Sequence, residues 1–371
     1  MIKLPENVRK ALEKTINQMK TKPNIYGIGL FGSWSRGDAE SSSDVDLLIL
    51  DKSEFPYEYV DRITANELFL DLNYIPKHWL TSMVPPEIDQ KLYEMQILYD
   101  RDWTLTNTKL LMTKSYTSPE RVDIRTEAHV INSDIYLSRA TSALYRNDHL
   151  SAELFLTVAL ESMSKVLLEI ALEPLSNSKF LEKLEGATAK LGTPRFFNDF
   201  LKMTGLNNVD HASVKEKLRL FKTIWDEMNF VTKQNPKALE SSHFKVKSKL
   251  KYYLNFAFLQ GVVLRTDSLA ASGRSVEASH YINGIFVDLV ENYVWLKASI
   301  ERVKADITTL LRSLQVLEKR NPKNYANVAE FFGFKEVSTK ETGRLIEDAK
   351  KMMSGIRRER KALIKSRLFK S

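Results

Sequence analysis

The sequence contains no cysteine, which excludes a disulfide framework, a thiolate metal site and a cysteine nucleophile. It also lacks a long apolar run, because stretches such as 154–160 are interrupted by Glu or Lys well before the roughly 18 residues that a membrane helix needs. The start MIKLPENVRKALEK has no apolar segment followed by small residues, so no signal peptide is expected there. We therefore expect a soluble, cytoplasmic protein.

Net positive charge is low outside the C-terminal end of the sequence. The formal net charge is +8, but residues 351–371 contain eight Lys or Arg and one Glu, so this tail carries +7 and the other 350 residues carry +1. A nearly neutral body argues against an extended nucleic-acid surface. The tail itself is typical either of a segment that follows RNA phosphates or of a solvated helix end. Its basic side chains after Gly355 are Arg357, Arg358, Arg360, Lys361, Lys365, Arg367 and Lys370.

The first hundred residues predict a small mixed sheet flanked by helices. Apolar residues recur at helical spacing over residues 6–20, and Pro23-Asn24 then breaks the pattern. Three short apolar runs with strand character follow at 25–31, 45–50 and 68–75. A Gly- and Ser-rich stretch separates the first two. With 371 residues the chain exceeds the usual size of one core, so two or three folding units are expected.

From about residue 120 onward the strand-like alternation disappears, and long helical patterns predict a helical bundle. Residues 151–170 are apolar around most of the circumference, which predicts the central helix of the bundle. The aromatic residues at 252–258 are expected to fill its core. Gly, Pro and Asn residues indicate loops at 176–208 and 267–273.

The predicted central helix carries a polar stripe at i+4 spacing, made of Glu153, Thr157, Glu161, Lys165 and Glu169. Two interpretations are open. The stripe lines an acceptor cleft and supplies a general base, since a carboxylate beside a hydroxyl assists its deprotonation. Alternatively, it is an exposed face stabilised by i,i+4 ion pairs, which is the interpretation we favour from the sequence.

The most informative stretch follows the first predicted strand. Gly32 allows the backbone to approach a phosphate closely, and Ser33 offers a hydroxyl and an N–H to the same oxygens. Asp44 and Asp46 lie two apart among strand-forming residues, so both side chains point to the same face. Asp71 lies in the third apolar run, where an adjacent strand can bring a third carboxylate to the same edge. Carboxylates beside phosphates suit Mg²⁺, in an arrangement of two ions.

These residues resemble the signature of the polymerase β-type nucleotidyltransferase superfamily: Gly-Ser, a spacer of ten residues, then Asp-Val-Asp-Leu. The version Gly-Ser-Trp-Ser-Arg-Gly is similar to minimal and aminoglycoside nucleotidyltransferases. The later helices resemble the helical C-terminal domains of kanamycin nucleotidyltransferase-like and HEPN proteins. The resemblance implies metal binding by Asp44, Asp46 and Asp71, which are also the catalytic residues. It implies that Gly32, Ser33 and Arg36 bind the nucleotide.

The expected fold is therefore α+β: a nucleotidyltransferase domain at 1–115, an acceptor-binding helical bundle at 116–290, and a helical extension with the basic tail at 291–371. The resemblance implies Mg²⁺-dependent transfer of a nucleoside monophosphate, with AMP from ATP as the expected case. The acceptor is a hydroxyl group that attacks the α-phosphate and releases pyrophosphate. We expect a small molecule or a protein as acceptor, because the body is not basic.

Three alternatives remain open. The first is a transferase that acts on an RNA 3′ end, like a tRNA-tailing enzyme, and binds RNA through the basic tail. The second is an HEPN-like ribonuclease or toxin–antitoxin fusion, in which Arg274 and His280 supply an Arg-x5-His motif. That spacing arises about once by chance in this composition. The third is a regulator that binds a nucleotide without transferring it.

Overall fold

The structure is a computed structural model that describes residues 4–333 and 339–368. The strands are β1 (Ile25–Phe31), β2 (Val45–Asp51), β3 (Tyr59–Ala65), β4 (Leu68–Pro76) and β5 (Gln96–Asp100). The helices are α1 (Glu6–Met19), α2 (Ser33–Arg36), α3 (His78–Thr81), α4 (Asp89–Glu94), α5 (Thr104–Ser115), α6 (Pro119–Tyr145), α7 (His149–Ala171), α8 (Phe180–Lys190), α9 (Pro194–Met203), α10 (His211–Gln234), α11 (Pro236–Ser241), α12 (Phe244–Tyr253), α13 (Phe256–Ala271), α14 (Ser275–Glu301), α15 (Leu310–Leu317), α16 (Pro322–Phe332) and α17 (Thr339–Leu368). This element content confirms the predicted α+β class.

The five strands form one mixed sheet in the order β3-β4-β2-β1-β5. Strands β2 and β4 pair in parallel, whereas the other neighbouring pairs are antiparallel. The central strands β1 and β2 are buried along nearly their whole length, and the edge strands β3 and β5 are not. This gradient follows from their sequences, since continuous apolar runs require cover on both faces of the sheet.

Helix α1 supplies apolar side chains to the same core as the sheet. Val8 and Leu12 are one turn apart and are buried with Ile28, Leu47 and Ile49 of the central strands. Each fully buried side chain of this kind contributes about 1.5–3 kcal/mol to folding. The core therefore holds the central strands rigidly, up to the strand ends from which the candidate site is built.

The chain divides into two compact units. One contains the residues up to Arg121 together with His243–Arg265, and the other contains Val122–Ser242 and the residues from Thr266 onward. The first unit is thus built from two separate parts of the sequence, and the later part brings α12 and the first half of α13 to the sheet. The domain boundaries at 115 and 290 stay a prediction; no sequence pattern indicated the return of the chain at 243–265.

Helix α7 is the central helix of the second unit, as predicted: 16 of its 23 residues are buried. It packs against α8, α15 and α17. The helix begins at the N-cap Asp148, whose carboxylate accepts a hydrogen bond from the Ser151 backbone N–H at 3.1 Å. It ends at Leu172, which adopts a left-handed conformation.

The predicted loops at 176–208 and 267–273 are wrong in part. Residues 180–190 and 194–203 form α8 and α9, and α13 continues to Ala271. Gly192 and Gly205 have positive φ angles and end these short helices instead of marking one long loop. Pro194 stands at the first turn of α9, where its missing N–H costs nothing. In the described ranges, no helix has both the length and the apolar character needed to cross a membrane.

The contact between α7 and α17 should make stability depend on pH through Glu153. The Thr342 hydroxyl donates a hydrogen bond to the Glu153 carboxylate at 3.3 Å, and burial raises the pKa of Glu153 from 4.5 to about 7. The folded protein therefore binds this proton more tightly than the unfolded chain does. The free energy of unfolding should fall as pH rises from 4.5 through 7.

We expect Glu153→Gln to remove this penalty, because the amide keeps an acceptor for Thr342 and has no charge. A gain of about 1 kcal/mol, after allowing for solvent screening, would raise the Tm at pH 8 by roughly 2–4 °C and by less at pH 5. Thermal unfolding at both pH values measures this, with the exposed Glu185→Gln on α8 as a control. Equal shifts at pH 5 and pH 8 would contradict the prediction.

Candidate active site

Strand pairing brings the predicted carboxylates together at one end of the sheet. In the parallel pair of β2 and β4, Asp46 lies directly opposite Asp71. Asp44 immediately precedes β2 and is two residues from Asp46, so both side chains lie on the same face. The structure thus places all three aspartates in one neighbourhood.

Gly32 lies beside this carboxylate set, immediately after β1. Its φ of 74° and ψ of −156° are accessible essentially to glycine alone. A Cβ atom at this position would lie 2.5 Å from Oδ2 of Asp46. Only glycine therefore allows the backbone to turn this close to the carboxylate.

An arginine that the sequence analysis did not single out binds two of the three carboxylates. Arg62 lies on β3 directly opposite Asp71, and its side chain is 4% exposed. Its Nε donates to Oδ1 of Asp71 at 2.6 Å, and its Nη2 donates to Oδ2 of Asp71 at 2.5 Å. The same Nη2 donates to Oδ2 of Asp44 at 2.5 Å. One guanidinium group therefore bridges Asp44 and Asp71.

Two further residues reach the carboxylates from the late part of the first unit. The hydroxyl of Tyr252, on α12, donates to Oδ2 of Asp71 at 2.7 Å. Nη2 of Arg265, on α13, donates to Oδ1 of Asp44 at 2.6 Å. Asp44 and Asp71 are thus held from both sides by residues that lie far apart in the sequence.

The three aspartates differ in their electrostatic surroundings. Burial alone would raise the pKa of Asp44, but Arg265 and Arg62 outweigh it and lower this pKa to about 2. The pKa of Asp46 is raised well above its usual range by burial and by the charges of Asp44 and Asp71. Burial also raises the pKa of Asp71, and Arg62 offsets this only in part. A bound cation would therefore stabilise the ionised form of Asp46 more than that of the other two carboxylates.

The three aspartates suit a divalent cation both in the type of ligand atom and in their net charge. Three carboxylates and two guanidinium groups leave one net negative charge, and none of the hydrogen bonds of the described residues reaches the Asp46 carboxylate. Hard oxygen ligands of this kind suit Mg²⁺. Within residues 4–333 and 339–368, no three acidic or histidine side chains already stand as metal ligands. Asp44 and Asp71 face arginines instead.

The predicted nucleotide contact Arg36 is engaged by acidic side chains of the first unit. Its Nη1 donates to Glu94 at 2.8 Å, and its Nε lies 3.3 Å from Asp38. The other Glu94 oxygen accepts from the Gly32 backbone N–H at 2.7 Å. Glu94 thus ties the Gly32 turn to Arg36. Ser33 opens the short helix α2, and its carbonyl accepts the N–H groups of residues 37 and 38.

Four residues of this neighbourhood, Arg62, Glu94, Tyr252 and Arg265, were missed from the sequence. The pair Asp61-Arg62 interrupts an otherwise strand-like run, and a charged residue inside such a run is the one local feature from which a buried partner could have been inferred. For Tyr252 the expectation was wrong: it lies in the first unit against Asp71 and not in a bundle core. Phe256, expected in the same core, is 63% exposed.

The polar stripe on α7 fits neither interpretation throughout. Glu169 is buried and accepts a hydrogen bond from Nε of Arg125 at 2.7 Å, so the expectation of an exposed face is wrong there. Lys165 pairs with Glu161 at 2.7 Å, as the i,i+4 spacing predicts. Glu161 also lies 3.8 Å from Nε2 of His280. The stripe is therefore partly an internal ion-pair network of the second unit.

Arg274 and His280 have different surroundings in the second unit. Arg274 is the N-cap residue of α14, and its Nε donates to the Ser272 hydroxyl at 3.2 Å. The His280 ring stacks on Phe180 at 4.5 Å, and burial lowers its pKa. The Arg-x5-His motif thus begins at a helix cap and ends in an aromatic contact.

The basic tail belongs largely to α17, and part of its charge is neutralised by α6. Arg360, with a side chain only 7% exposed, lies 3.0 Å from Asp123 and also pairs with Glu127. Arg357 donates to Asp134. The side chain of Arg367 and all of Lys370 lie outside the described residues. These pairs reduce the charge that the tail can present to RNA.

Comparison with known proteins finds similarity over the part of the chain that contains the sheet. The family model described as a nucleotidyltransferase domain matches residues 12–111. A putative protein adenylyltransferase from Methanocaldococcus jannaschii is 42% identical over 53 residues, which are 14% of this chain and 53% of that protein. The chain thus spans about half the length of this curated relative.

A solved nucleotidyltransferase-like protein from Exiguobacterium sibiricum aligns over 83% of this chain and 91% of its own, with 12% identity and a TM-score of 0.33. The family match lies on the sheet and carries Gly32, Asp44, Asp46 and Asp71. It confirms the nucleotidyltransferase domain that the sequence predicts for this part of the chain. Residues 12–111 of this chain therefore match the nucleotidyltransferase domain family.

Proposed function

We propose that the protein transfers a nucleoside monophosphate from an NTP, with AMP from ATP as the leading case, to a hydroxyl acceptor in a Mg²⁺-dependent reaction. One observation carries the proposal: Asp44, Asp46 and Asp71 converge beside the Gly32 turn in the matched domain. The acceptor oxygen attacks the α-phosphorus, the bond to the β-phosphate oxygen breaks, and pyrophosphate leaves. The hydroxyl proton passes to a carboxylate or to water.

Each part of the site has a distinct role in this proposal. Asp46, with Asp44 and Asp71 beside it, would hold Mg²⁺, which when bound would neutralise charge on the phosphates and polarise the α-phosphate. The backbone at Gly32 and the hydroxyl of Ser33 bind phosphate oxygens. Holding acceptor and phosphate in line supplies a large part of the rate enhancement, because little covalent work is required of the protein.

Arg36 can contact the nucleotide only if it exchanges a carboxylate for a phosphate. Glu94 now accepts its hydrogen bond, Asp38 forms an ion pair with its Nε at 3.3 Å, and Glu94 also binds the Gly32 N–H. A phosphate oxygen would offer the same charge-assisted hydrogen bonds. We therefore assign to Arg36 a part in holding the turn as well as a part in phosphate binding.

The acceptor that we favour is a hydroxyl group of a protein side chain, followed by a small molecule. The relative from Methanocaldococcus jannaschii is described as a putative protein adenylyltransferase, which supports both AMP as the transferred group and a protein as its acceptor. An RNA acceptor is less favoured, because Arg357 and Arg360 of the tail are paired with acidic residues of α6.

The test is transfer of label from α-phosphate-labelled ATP, with Mg²⁺, into the protein, small-molecule and RNA fractions of a cell extract. We expect label in the protein fraction with the wild type and none with the Asp44→Ala/Asp46→Ala double variant. Omission of Mg²⁺ should also abolish transfer. Label in the RNA fraction would favour the RNA-tailing alternative, and ATP binding without transfer to any fraction would contradict the proposed activity.

A further inference from the structure

Arg62 binds two of the three carboxylates that an arrangement of two metal ions would have to share. Its guanidinium bridges Asp44 and Asp71 through three hydrogen bonds of 2.5–2.6 Å. We propose that Arg62 is a permanent counter-cation of the active site, so that the site takes one divalent ion per chain and not two. This inference rests on the proposed function and concerns how the same site is charged.

The contacts of the carboxylates support a single ion. Both oxygens of Asp71 accept hydrogen bonds from Arg62, and the two oxygens of Asp44 accept from Arg62 and Arg265. These two guanidinium groups already return two positive charges to a set of three carboxylates. Asp46 alone of the three accepts none of the hydrogen bonds of the described residues, so the set has room to bind one divalent ion rather than two.

The surroundings of Arg62 hold it in place. Its guanidinium carbon lies 5.5 Å from the centre of the Tyr252 ring and 5.2 Å from that of Phe258. Asn255 donates a hydrogen bond to its backbone carbonyl at 3.1 Å. Aromatic rings on a buried guanidinium add cation–π attraction to the ion pairs. A metal ion would have to displace a group that the helices and the sheet hold together.

The backbone of α13 is shaped to leave room for this group. A Cβ atom at Gly261 would lie 2.5 Å from Nη1 of Arg62. Gly261 lies on the helix that also carries Arg265. Replacing Gly261 by alanine should therefore displace the guanidinium and leave its charge in place. This substitution tests whether the position of the Arg62 guanidinium matters, whereas Arg62→Met tests whether its charge matters.

The experiment counts Mn²⁺ ions bound per full-length chain by electron paramagnetic resonance of the free ion, with α,β-methylene-ATP present as a nucleotide that cannot be cleaved. The wild type should bind one Mn²⁺, and Arg62→Met should bind two. Arg62→Lys keeps the charge and should bind one. Gly261→Ala should gain a second, weaker Mn²⁺ site. Gly284→Ala on α14, where a Cβ meets nothing within 4 Å, is the matched control and should bind one.

Two or zero Mn²⁺ ions on the wild type would overturn the proposal, and so would an Arg62→Met variant that remains folded and still binds one. If Arg62→Met does not fold, Gly261→Ala decides, because a count equal to that of Gly284→Ala overturns the proposal. Label transfer by a wild type that binds two ions would reject the counter-cation and leave the proposed function intact. Binding of a single ion without label transfer would support the role of Arg62 as counter-cation and contradict the proposed function.

Discussion

Replacing Asp46 by asparagine is expected to reduce nucleotidyl transfer by roughly 1000-fold while the protein stays folded. A carboxylate that binds the metal ion supplies several kcal/mol of transition-state stabilisation, and about 4 kcal/mol corresponds to a factor of that size. The Asp46 carboxylate accepts no hydrogen bond described for this chain, so the substitution breaks no internal contact that the structure shows. Rates of label transfer from α-labelled ATP measure the effect.

The stability of the same variant separates a chemical role from a structural one. Burial and the charges of Asp44 and Asp71 raise the pKa of Asp46, so the ionised carboxylate destabilises the folded state. We therefore expect Asp46→Asn to keep the wild-type Tm or to raise it. Asp226→Asn, at an exposed aspartate of α10 in the second unit, should change neither rate nor Tm. Transfer at the wild-type rate by Asp46→Asn would refute the assignment of this residue.

Replacing Gly32 by alanine should lower transfer by about 100-fold or more. The φ of 74° with ψ of −156° costs a non-glycine residue about 1–3 kcal/mol, and the new Cβ would lie 2.5 Å from Oδ2 of Asp46. The carboxylate or the turn must then shift, and a displacement of about 1 Å in a catalytic group costs on the order of 100-fold in rate. Steady-state kinetics with varied ATP would show the loss.

A matched glycine substitution provides the control for this effect. Gly186 is exposed on α8, has no positive φ, and an added Cβ there meets nothing within 4 Å. Gly186→Ala should leave transfer unchanged and stabilise the helix by up to about 1 kcal/mol. If Gly32→Ala transferred label as fast as Gly186→Ala, the close approach of the turn to Asp46 would have no catalytic importance.

The strands that were predicted from the sequence are the ones that are buried along most of their length. Strands β1, β2 and β4 are central and mostly apolar, so hydrophobic runs at 25–31, 45–50 and 68–75 were sufficient to predict them. The edge strands β3 and β5 are only partly buried, and their mixed composition gave no comparable signal. Arg62 was missed because it lies on one of these edge strands.

Long-range contacts explain the other omissions. Helical periodicity indicates which face of α12 is apolar, but it does not indicate which core receives that face. Tyr252 and Arg265 meet Asp71 and Asp44 across 181 and 221 residues of sequence, and no local pattern carries such a contact. The carboxylates themselves were predictable because Asp44 and Asp46 are neighbours in sequence and Asp71 lies on a strongly apolar strand.

The return of the chain at His243–Arg265 also sets the order of events during synthesis on the ribosome. Arg62 and the three aspartates emerge early, whereas Tyr252 and Arg265 follow after a delay of roughly ten seconds or more at ordinary translation rates. A nascent chain therefore carries its acidic residues without two of their partners for that whole interval. The nucleotide site becomes complete only after most of the polypeptide has been made, so a prematurely terminated chain lacks a finished active site.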